Sequence, residues 1–386
     1  MQFNDIIGQE EIKKRLVNTV RENRVAHAQL FFSAEGHGKL SLAIAYAQFI
    51  NCKDQAKLEK EDSCGTCSSC IKYNKLIHPD LYFVFPVAAT KEVKDKPVSS
   101  RFMQSWRELL FEHDYFVSLN DWYKKLDIEK KQAGINVYEC NEIIRTLNYT
   151  SYESEYKIMV IWMVEKLNYQ AAPKLLKILE EPPDKTLFLL ISAQPDQIIS
   201  TILSRLLLVK VPKISDHKLE QACVEKLGLS REDAVATTKL ANGSFKQAMN
   251  LVRENETRQK NFDRFVLWMR LCYAADVTGL AAFSEDIGRE SRESIKSFLQ
   301  FGMGVLRNCL MLNYTGDAFV KVVDQEKSFF RKFAPFVNNA NAARFAGEFD
   351  RAIYHIERNA QASLLFLDLS LTVAKLLKMK EIKQVV

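Results

Sequence analysis

The chain has 386 residues, of which 47% are hydrophobic and 26% are charged, as is ordinary for a globular protein. This length allows two or three domains, and the net charge of +6 permits contact with nucleic acid without indicating it. No apolar run approaches the roughly 20 residues that span a bilayer. The first residues carry acids and no apolar stretch. We therefore expect a cytoplasmic protein with neither a signal peptide nor a membrane segment.

The first 213 residues alternate short apolar runs with helix-forming stretches. Such alternation predicts an α/β domain built on a parallel sheet. Buried strands are predicted at residues 29–33, 157–163 and 187–192, and helices at residues 40–50 and 170–179. The second of these helices is expected to stop before Pro182-Pro183, because proline cannot continue a helix.

The remaining segments differ in character from this alternating pattern. Residues 88–134 contain Trp106, Trp122 and dense charges of both signs, which indicates an insertion with its own helices. Residues 214–256 are predicted to form a small helical unit with a turn at Asn242-Gly243. Residues 257–386 follow a helical pattern throughout and predict an all-α C-terminal domain.

A glycine-rich loop at residues 33–40 lies where the first strand meets the first helix. It partly matches the pattern G-x-x-x-x-G-K-[ST], in which glycines let backbone N–H groups surround phosphates. Gly36, Gly38 and Lys39 match this pattern. Ser33 replaces its first glycine, and Leu40 replaces the hydroxyl residue that binds Mg²⁺. A chance glycine-rich turn is the alternative, and ATP binding stays an open question at this point.

The second predicted strand lacks the other ligands of a nucleotide-bound metal. Enzymes that hydrolyse NTPs in this way hold Mg²⁺ and polarise water with acids at the end of that strand. Trp162 and Met163 stand there instead, and Glu165, beyond them, is expected to cap or pair on the following helix. Ser41 cannot replace the missing hydroxyl, since one residue along a helix rotates a side chain by about 100°. The chain alone is therefore not expected to hydrolyse ATP. His37, inside the loop, either contacts phosphate or faces solvent.

Four of the eight cysteines cluster in one stretch with the spacing C-x11-C-x2-C-x2-C: Cys52, Cys64, Cys67 and Cys70. In a reducing cytoplasm, clustered cysteines indicate a metal site rather than disulfides. Four thiolates suit structural Zn²⁺ and leave no open position for catalysis. An iron–sulfur cluster is the minor alternative, and four free cysteines are the other. The nearby His78 is expected to take a turn or capping role instead.

Several segments together resemble the bacterial clamp-loader AAA+ subunits. The most specific is A-P-K-L-L-K-I-L-E-E-P-P at residues 172–183. The others are F-N-D-I-I-G-Q-E at 3–10, H-A-Q-L-F-F at 27–32, H-P-D at 78–80 and T-I-L-S-R at 201–205. The resemblance covers most of residues 1–250 and continues weakly at residues 358–361. It implies an AAA+ domain at 1–213 with a zinc module at about 52–70, a helical lid domain at 214–256 and an all-α collar domain at 257–386. The insertion at 88–134 departs from the family pattern.

The family contains ATP-hydrolysing gamma/tau-type subunits and delta-prime-type subunits of DNA polymerase III, and the broken nucleotide motifs favour the delta-prime type. The resemblance then implies a non-catalytic subunit that assembles with gamma/tau and delta and helps load the sliding clamp onto primed DNA during replication. An active gamma/tau-type ATPase is the alternative. A zinc-dependent nucleic-acid-binding protein is less favoured, since no stripe of basic and aromatic residues is evident.

The resemblance also implies roles for two cationic side chains. Arg205, with Ser204, stands in the family's Ser-Arg motif, which implies an arginine finger that completes the ATP site of a neighbouring subunit. An ordinary surface arginine is the alternative. Lys246 stands where active relatives carry a lid arginine that senses nucleotide, and a solvated lysine is the equally plausible interpretation.

Overall fold

A computed structural model describes residues 1–129, 131–315 and 324–379 of the chain. The chain divides into two compact units, Met1–Val252 and Arg253–Val386. Residues 214–252, most of the predicted lid domain, fall in the first unit and are called the lid below.

The first unit is built on a five-stranded sheet with strand order β2-β3-β4-β1-β5, in which all neighbouring strands are parallel. The strands are β1 (Ala28–Phe32), β2 (Leu81–Val84), β3 (Lys157–Trp162), β4 (Thr186–Ser192) and β5 (Leu207–Lys210). The strands predicted from sequence are β1, β3 and β4, which are almost entirely buried, as expected for a parallel sheet covered on both faces. This sheet confirms the predicted α/β fold.

Helices cover both faces of this sheet. Helix α1 (Glu10–Arg21) precedes β1, and α2 (Lys39–Ile50), which follows it, is buried along its whole length. Further helices before the lid are α3 (Ser68–Asn74), α4 (Met103–Glu112), α5 (Leu119–Lys125), α6 (Val137–Leu147), α7 (Ala172–Glu180) and α8 (Ser200–Leu203). Successive side chains of β3 point to opposite faces of the sheet. Ile158, Val160 and Trp162 join the hydrophobic cluster around α2, whereas Met159 and Ile161 join the cluster around α6 and α7.

Residues 88–134 form a segment whose two ends are joined by one isolated backbone bridge. Val87 and Gly134 form an antiparallel bridge, with an N–H···O distance of 3.1 Å in each direction. Between these two residues lie α4 and α5, whose Trp106 and Trp122 side chains are fully buried. The insertion therefore contributes to the core of the sheet domain and is not a free surface excursion.

The lid contains α9 (Asp216–Leu227), α10 (Arg231–Ala241) and the first turns of α11 (Phe245–Ala274). It has its own hydrophobic cluster, centred on Leu219, Cys223 and Phe245. One member of that cluster, Phe116, comes from the insertion rather than from the lid.

The second unit is helical in its described part. After α11 come α12 (Val277–Gly288), α13 (Arg292–Thr315), α14 (Asp324–Phe333), α15 (Ala342–Glu357) and α16 (Ala362–Leu377). Its core surrounds Trp268, whose ring centroid lies 5.6–6.0 Å from those of four phenylalanines, Phe283, Phe298, Phe349 and Phe366. Among the described residues, no helix is both long enough and apolar enough to cross a membrane.

Candidate functional site

The glycine-rich loop joins β1 to α2 and has the backbone shape that its sequence predicts. Gly36 and Gly38 both have φ of 84°, in the left-handed region that glycine adopts without a steric penalty. Gly38 is the residue immediately before α2, so the loop ends at a helix N-terminus. The structure thus brings Gly36, Gly38 and Lys39 together at the position where a phosphate-binding loop would lie.

Lys39 is turned toward the loop itself. Its ammonium group donates a hydrogen bond to the carbonyl oxygen of Ala34 at 3.1 Å, and the residue is only 6% exposed. Burial lowers the pKa of Lys39 to about 8, although the nearby carboxylates of Glu35 and Glu165 oppose this shift. The one cation of the loop is therefore largely withdrawn from solvent.

The positions of the missing metal ligands are filled by apolar core residues. Leu40, Trp162 and Met163 are 4%, 2% and 3% exposed and belong to the cluster around α2. Mg²⁺ requires oxygen ligands in near-octahedral geometry, and none of these side chains supplies one. The Ser41 hydroxyl is buried and finds no hydrogen-bond partner among the described residues.

Glu165 does not pair on the following helix, so that expectation is wrong. One of its carboxylate oxygens accepts a hydrogen bond from the backbone N–H of Ala193, just after β4, at 2.9 Å. The parallel pairing of β3 with β4 brings the ends of these strands together, which places Glu165 beside Ala193. His37 is partly buried, and burial lowers its pKa. Its backbone carbonyl accepts a hydrogen bond from Gln9.

The lid lies directly against the glycine-rich loop. The backbone N–H of Phe245 donates to the Gly36 carbonyl at 3.0 Å, and the Ser244 hydroxyl donates to the Glu35 carbonyl at 3.0 Å. A Cβ atom added to Gly36 would lie 2.0 Å from the Ser244 hydroxyl oxygen, so only glycine permits this approach.

Lys246 is not a solvated lysine, so that interpretation is wrong. Its side chain is 6% exposed, and its ammonium group lies 2.6 Å from a carboxylate oxygen of Asp121, in the insertion. The same ammonium group lies 3.3 Å from Nδ1 of His113. The lid cation therefore pairs with the insertion.

The four clustered cysteines converge at one point, as their spacing predicts. Their four Sγ atoms all lie within 4.8 Å of one another, with Cys52 to Cys64 at 3.6 Å and Cys64 to Cys70 at 3.9 Å. A disulfide requires about 2.05 Å between sulfur atoms, so these cysteines are unpaired. Tetrahedral zinc with Zn–S bonds of about 2.3 Å places its sulfur ligands roughly 3.8 Å apart, which fits these separations.

Backbone N–H groups point at three of these sulfur atoms. The N–H groups of Cys64, Cys67 and Cys70 donate to the preceding cysteine sulfur at 3.3–3.4 Å. Burial alone would raise the pKa of Cys64, but the N–H groups of Cys67 and Thr66 outweigh it and lower the pKa to about 6. Burial raises the pKa values of Cys52 and Cys70. A bound dication would offset the repulsion among four thiolates at this spacing.

His78 takes the turn role that its sequence context predicts. Its Nδ1 accepts a hydrogen bond from the backbone N–H of Asp80, and its Nε2 lies 3.1 Å from the Ser154 hydroxyl. It is not a member of the cysteine cluster.

Arg205 lies just before β5, on the surface of the first unit. Its guanidinium group is 2.5 Å from a carboxylate oxygen of Glu180, at the end of α7, and donates to the Thr201 carbonyl at 2.7 Å. The Arg205 side chain is 37% exposed. Ser204 is beside it, with its hydroxyl 3.3 Å from the same guanidinium group.

The sheet register separates Arg205 from the glycine-rich loop of its own chain. Arg205 precedes Leu207, which pairs with Gln29 near the start of β1. The loop follows Phe32, at the other end of β1. Because a strand rises about 3.3 Å per residue, roughly 10–15 Å of sheet lies between them. The two features therefore lie at opposite edges of the sheet.

Sequence reasoning missed the residues of the insertion that meet the loop and the lid. Phe116 and Asp121 match no motif, and their partners Gly38, Phe245 and Lys246 are distant in sequence. The sequence feature that pointed to this segment was its concentration of aromatic and charged residues. That composition indicates that the insertion is folded, but it does not identify the residues that the insertion contacts.

Three proteins with similar sequences and one solved structure match this chain. The DNA polymerase III subunit tau/gamma of Haemophilus influenzae is 26% identical over 254 residues, covering 64% of this chain and 30% of that protein. The DNA polymerase III subunit gamma of Buchnera aphidicola is 26% identical over 259 residues, covering 65% of this chain and 56% of that protein. The DNA polymerase III subunit delta′ of Bacillus subtilis is 25% identical over 218 residues, covering 56% of this chain and 52% of that protein. The crystal structure of a gamma subunit-related protein from Thermotoga maritima aligns over 96% of this chain and 99% of its own, with 12% identity and a TM-score of 0.33, too low to add to the fold described above.

The chain spans 30% to 56% of the lengths of these three sequence relatives. A family model described as DNA polymerase III, delta subunit, matches residues 8–215, which include the glycine-rich loop, the cysteine cluster, β1 to β5 and Arg205. Because this match covers more than half of the 386 residues, the chain belongs to the DNA polymerase III delta-subunit family of that description.

Proposed function

We propose that this chain is a non-catalytic clamp-loader subunit of the delta-prime type. In the cytoplasm it would assemble with gamma/tau and delta subunits and help load the sliding clamp onto primed DNA during replication. The observation that carries the proposal is the filling of both metal-ligand positions by core residues, Leu40 in the loop and Trp162 with Met163 after β3. Without an oxygen ligand at either position, the chain lacks the protein part of a Mg²⁺ site.

Arg205 supports a role at the ATP site of a neighbouring subunit. It lies at the edge of the sheet opposite the loop of its own chain, so it could reach a nucleotide only in another chain. Its pairing with Glu180 is partly solvent-exposed, and exposed ion pairs contribute little to stability. The guanidinium group could therefore exchange this partner for a phosphate at little cost.

The cysteine cluster fits a structural zinc ion. Cys52, Cys64, Cys67 and Cys70 would hold the ion through four thiolates, which leaves no open position for a substrate. When bound, zinc would supply folding free energy to the segment between α2 and α3. Backbone N–H groups already orient three of the sulfur atoms.

An active gamma/tau-type ATPase is the second candidate, since the similar proteins include gamma and tau subunits. Steady ATP turnover by the purified chain, abolished by Lys39→Ala, would favour that candidate. We expect turnover of the wild-type chain to stay at the level of the Lys39→Ala variant, with or without DNA and clamp.

The proposed function is tested in a reconstituted clamp loader that contains Arg205→Ala. We expect the variant to assemble normally and to slow DNA-stimulated ATP hydrolysis and clamp loading severalfold. Removal of an arginine finger typically costs 10³–10⁵ in rate at the site that it serves, and other sites in the complex continue to turn over. Arg205→Lys should not restore the rate, because an ammonium group cannot reproduce the planar fork of a guanidinium group.

The matched control is Arg231→Ala, which removes an arginine that is 90% exposed on the lid. This control should load clamps at the wild-type rate. Wild-type loading by Arg205→Ala would mean that Arg205 is an ordinary surface arginine, and the finger assignment would then be abandoned.

A further inference from the structure

Residues 113–121 of the insertion, called the bridging segment below, contact both the glycine-rich loop and the lid. The Phe116 ring lies 3.7 Å from the place that a Cβ on Gly38 would occupy. Its centroid is 4.9 Å from that of Phe245, in the first turn of α11. Phe116 is 7% exposed and belongs to the hydrophobic cluster of the lid. One aromatic ring thus packs against the loop and the lid at once.

The bridging segment also carries the anion that pairs with the lid cation. Asp121 lies 2.6 Å from the Lys246 ammonium group, and both side chains are mostly buried, at 19% and 6% exposed. The Asp121 carboxylate is fixed by the Ser118 backbone N–H at 2.8 Å and by the Ser118 hydroxyl at 2.7 Å. This capping box holds the carboxylate in place independently of Lys246. A second pair, Asp114 with Lys226 at 2.5 Å, lies nearer the surface.

The backbone of the bridging segment adopts a conformation that needs support from its surroundings. Asp114 and Tyr115 have φ of 46° and 64°, so two consecutive residues other than glycine lie in the left-handed region. Such residues persist when surrounding contacts determine their conformation. Here Tyr115 is buried in the core around α2, and this tight turn delivers Phe116 to the lid.

The same insertion also covers the end of β3. The Trp106 ring lies 4.9 Å from that of Trp162, which stands where a metal-binding acid would otherwise be expected. Trp106 also contacts Phe85 and Trp122, so Trp162 belongs to an aromatic cluster to which the insertion contributes two tryptophans. The insertion therefore packs against the residue at the end of β3 as well as against the lid.

In nucleotide-binding proteins with such a loop, the phosphates are the anion that the loop and nearby cations share. Here the Asp121 carboxylate is the anion facing Lys246, and the lid donates hydrogen bonds to two loop carbonyls, from one backbone N–H and one hydroxyl. We propose that the bridging segment takes the place of a bound nucleotide and fixes the lid against the glycine-rich loop. The geometry of the lid is then a permanent property of this chain and does not change with ATP binding. This inference goes beyond the proposed function and does not depend on clamp loading.

The test is backbone hydrogen exchange of the full chain, measured by mass spectrometry on peptides from the lid and the loop. Asp121→Asn keeps the size of the side chain and removes its charge, and Phe116→Ala removes the shared ring. We expect exchange in residues 34–41 and 219–249 to speed up on the order of tenfold in each variant, because lid opening costs less free energy. Peptides from β3 and β4 should exchange at the wild-type rate and so establish that each variant is folded.

The matched control is Asp127→Asn, which changes another aspartate of the insertion, one whose side chain is 83% exposed. It should exchange like the wild type. Should Phe116→Ala fail to fold, Asp121→Asn decides the result. Wild-type exchange of the lid in a folded Asp121→Asn would overturn the proposal.

A second arm adds millimolar ATP with Mg²⁺ to the wild-type chain. No change in loop or lid exchange is expected. Protection of these peptides by ATP would mean that nucleotide, and not the bridging segment, holds the lid, and the proposal would be rejected. Because the isolated chain is used, neither result bears on the clamp-loader assignment. That assignment is tested separately with Arg205→Ala in the reconstituted complex.

Discussion

The four clustered cysteines differ from the other four in what surrounds their sulfur atoms. Burial in helical cores raises the pKa of Cys140 to about 11 and those of Cys272 and Cys309 to about 12. Burial also raises the pKa values of Cys52 and Cys70, so the pKa of a single thiol does not separate the two sets. What separates them is that the four clustered sulfur atoms lie within 4.8 Å of one another and that backbone N–H groups point at three of them.

We predict that the purified chain holds about one zinc ion and that Cys67→Ser loses it. The variant removes one of four thiolates, and structural zinc can contribute on the order of 10 kcal/mol to folding. Elemental analysis gives the metal content, and limited proteolysis near residues 52–70 gives the local order. Cys223→Ala, outside the cluster, should keep its zinc. A wild-type chain without zinc, or with iron and sulfide instead, would contradict the assignment.

Glu139 predicts a pH dependence that can be checked directly. Burial raises the pKa of Glu139 from 4.5 to about 7, and its carboxylate accepts a hydrogen bond from the Ser99 backbone N–H at 2.7 Å. The folded chain holds this proton where the unfolded chain has released it, so the contribution of Glu139 to stability is greatest below pH 4.5 and is lost as pH rises to about 7. A pKa raised from 4.5 to about 7 corresponds to a loss of about 3 kcal/mol of stability from this residue.

Glu139→Gln keeps the acceptor for Ser99 and cannot ionise. We expect this variant to be more stable than the wild type at pH 8 and to lose less stability between pH 5 and pH 8. Urea unfolding midpoints at these two pH values measure the effect. Glu11→Gln, which changes an exposed glutamate on α1, is the control and should retain the wild-type dependence. An equal loss in the wild type and in Glu139→Gln would show that another group is responsible.

At the scale of the element, the insertion is held by four aromatic rings. Phe85 lies 4.5 Å from Trp106 and 5.0 Å from Trp122, ring centroid to centroid, and Trp106 also packs on Trp162. The two tryptophans of the insertion differ in one respect. The indole N–H of Trp122 donates to the Pro86 carbonyl at 2.7 Å, whereas that of Trp106 has no partner among the described residues.

We therefore predict different costs for similar substitutions at these two positions. Trp106→Ala should destabilise the first unit by roughly 3–5 kcal/mol, because it empties a fully buried site. Trp106→Phe should be milder than Trp122→Phe, since only the second leaves a buried carbonyl without its donor, at about 1–3 kcal/mol. Urea unfolding of the three variants gives the comparison, with exposed Tyr152→Ala as the control. Equal costs for the two phenylalanine variants would contradict the argument.

The strands that sequence patterns predicted are the ones buried on both faces. β1, β3 and β4 are continuous apolar runs, which is the pattern that parallel sheets impose. β5 was missed because Leu207 and Leu208 are 40% and 47% exposed and the strand has only four residues. β2, at the other edge, is equally short. Short edge strands carry too little periodicity to be separated from loops.

The cysteine site and the glycine-rich loop could be predicted because their residues are close in sequence. Cys64, Cys67 and Cys70 lie within seven residues, and residues 33–40 form one turn. The pairing of Lys246 with Asp121 joins residues 125 positions apart. Nothing in the sequence around either residue indicates this pairing, so the pair could be identified only from the structure.

At the scale of the whole molecule, the local sequence also fails to locate the boundary between the two units. The sequence placed the end of the lid at residue 256, and the contacts place the boundary between Val252 and Arg253. Both positions lie inside α11, whose helical pattern continues from Phe245 to Ala274 without interruption. A continuous helix offers no glycine or proline at which to divide the chain. The division follows from separate hydrophobic clusters, around α2 and the sheet in one unit and around Trp268 in the other.

The aromatic contact between Trp162 and Trp106 has a consequence for the evolution of a metal site, because it disfavours an acidic residue at position 162. A Trp162→Asp substitution would bury an unpaired carboxylate beside the Trp106 ring, at a cost of several kcal/mol. Removing the insertion first would expose the same tryptophan and deprive the lid of Phe116 and Asp121. Each single step back passes through a less stable protein than the present one. On the proposed function, a return to Mg²⁺-dependent hydrolysis would therefore need several substitutions together, because the Trp162 ring is part of the core.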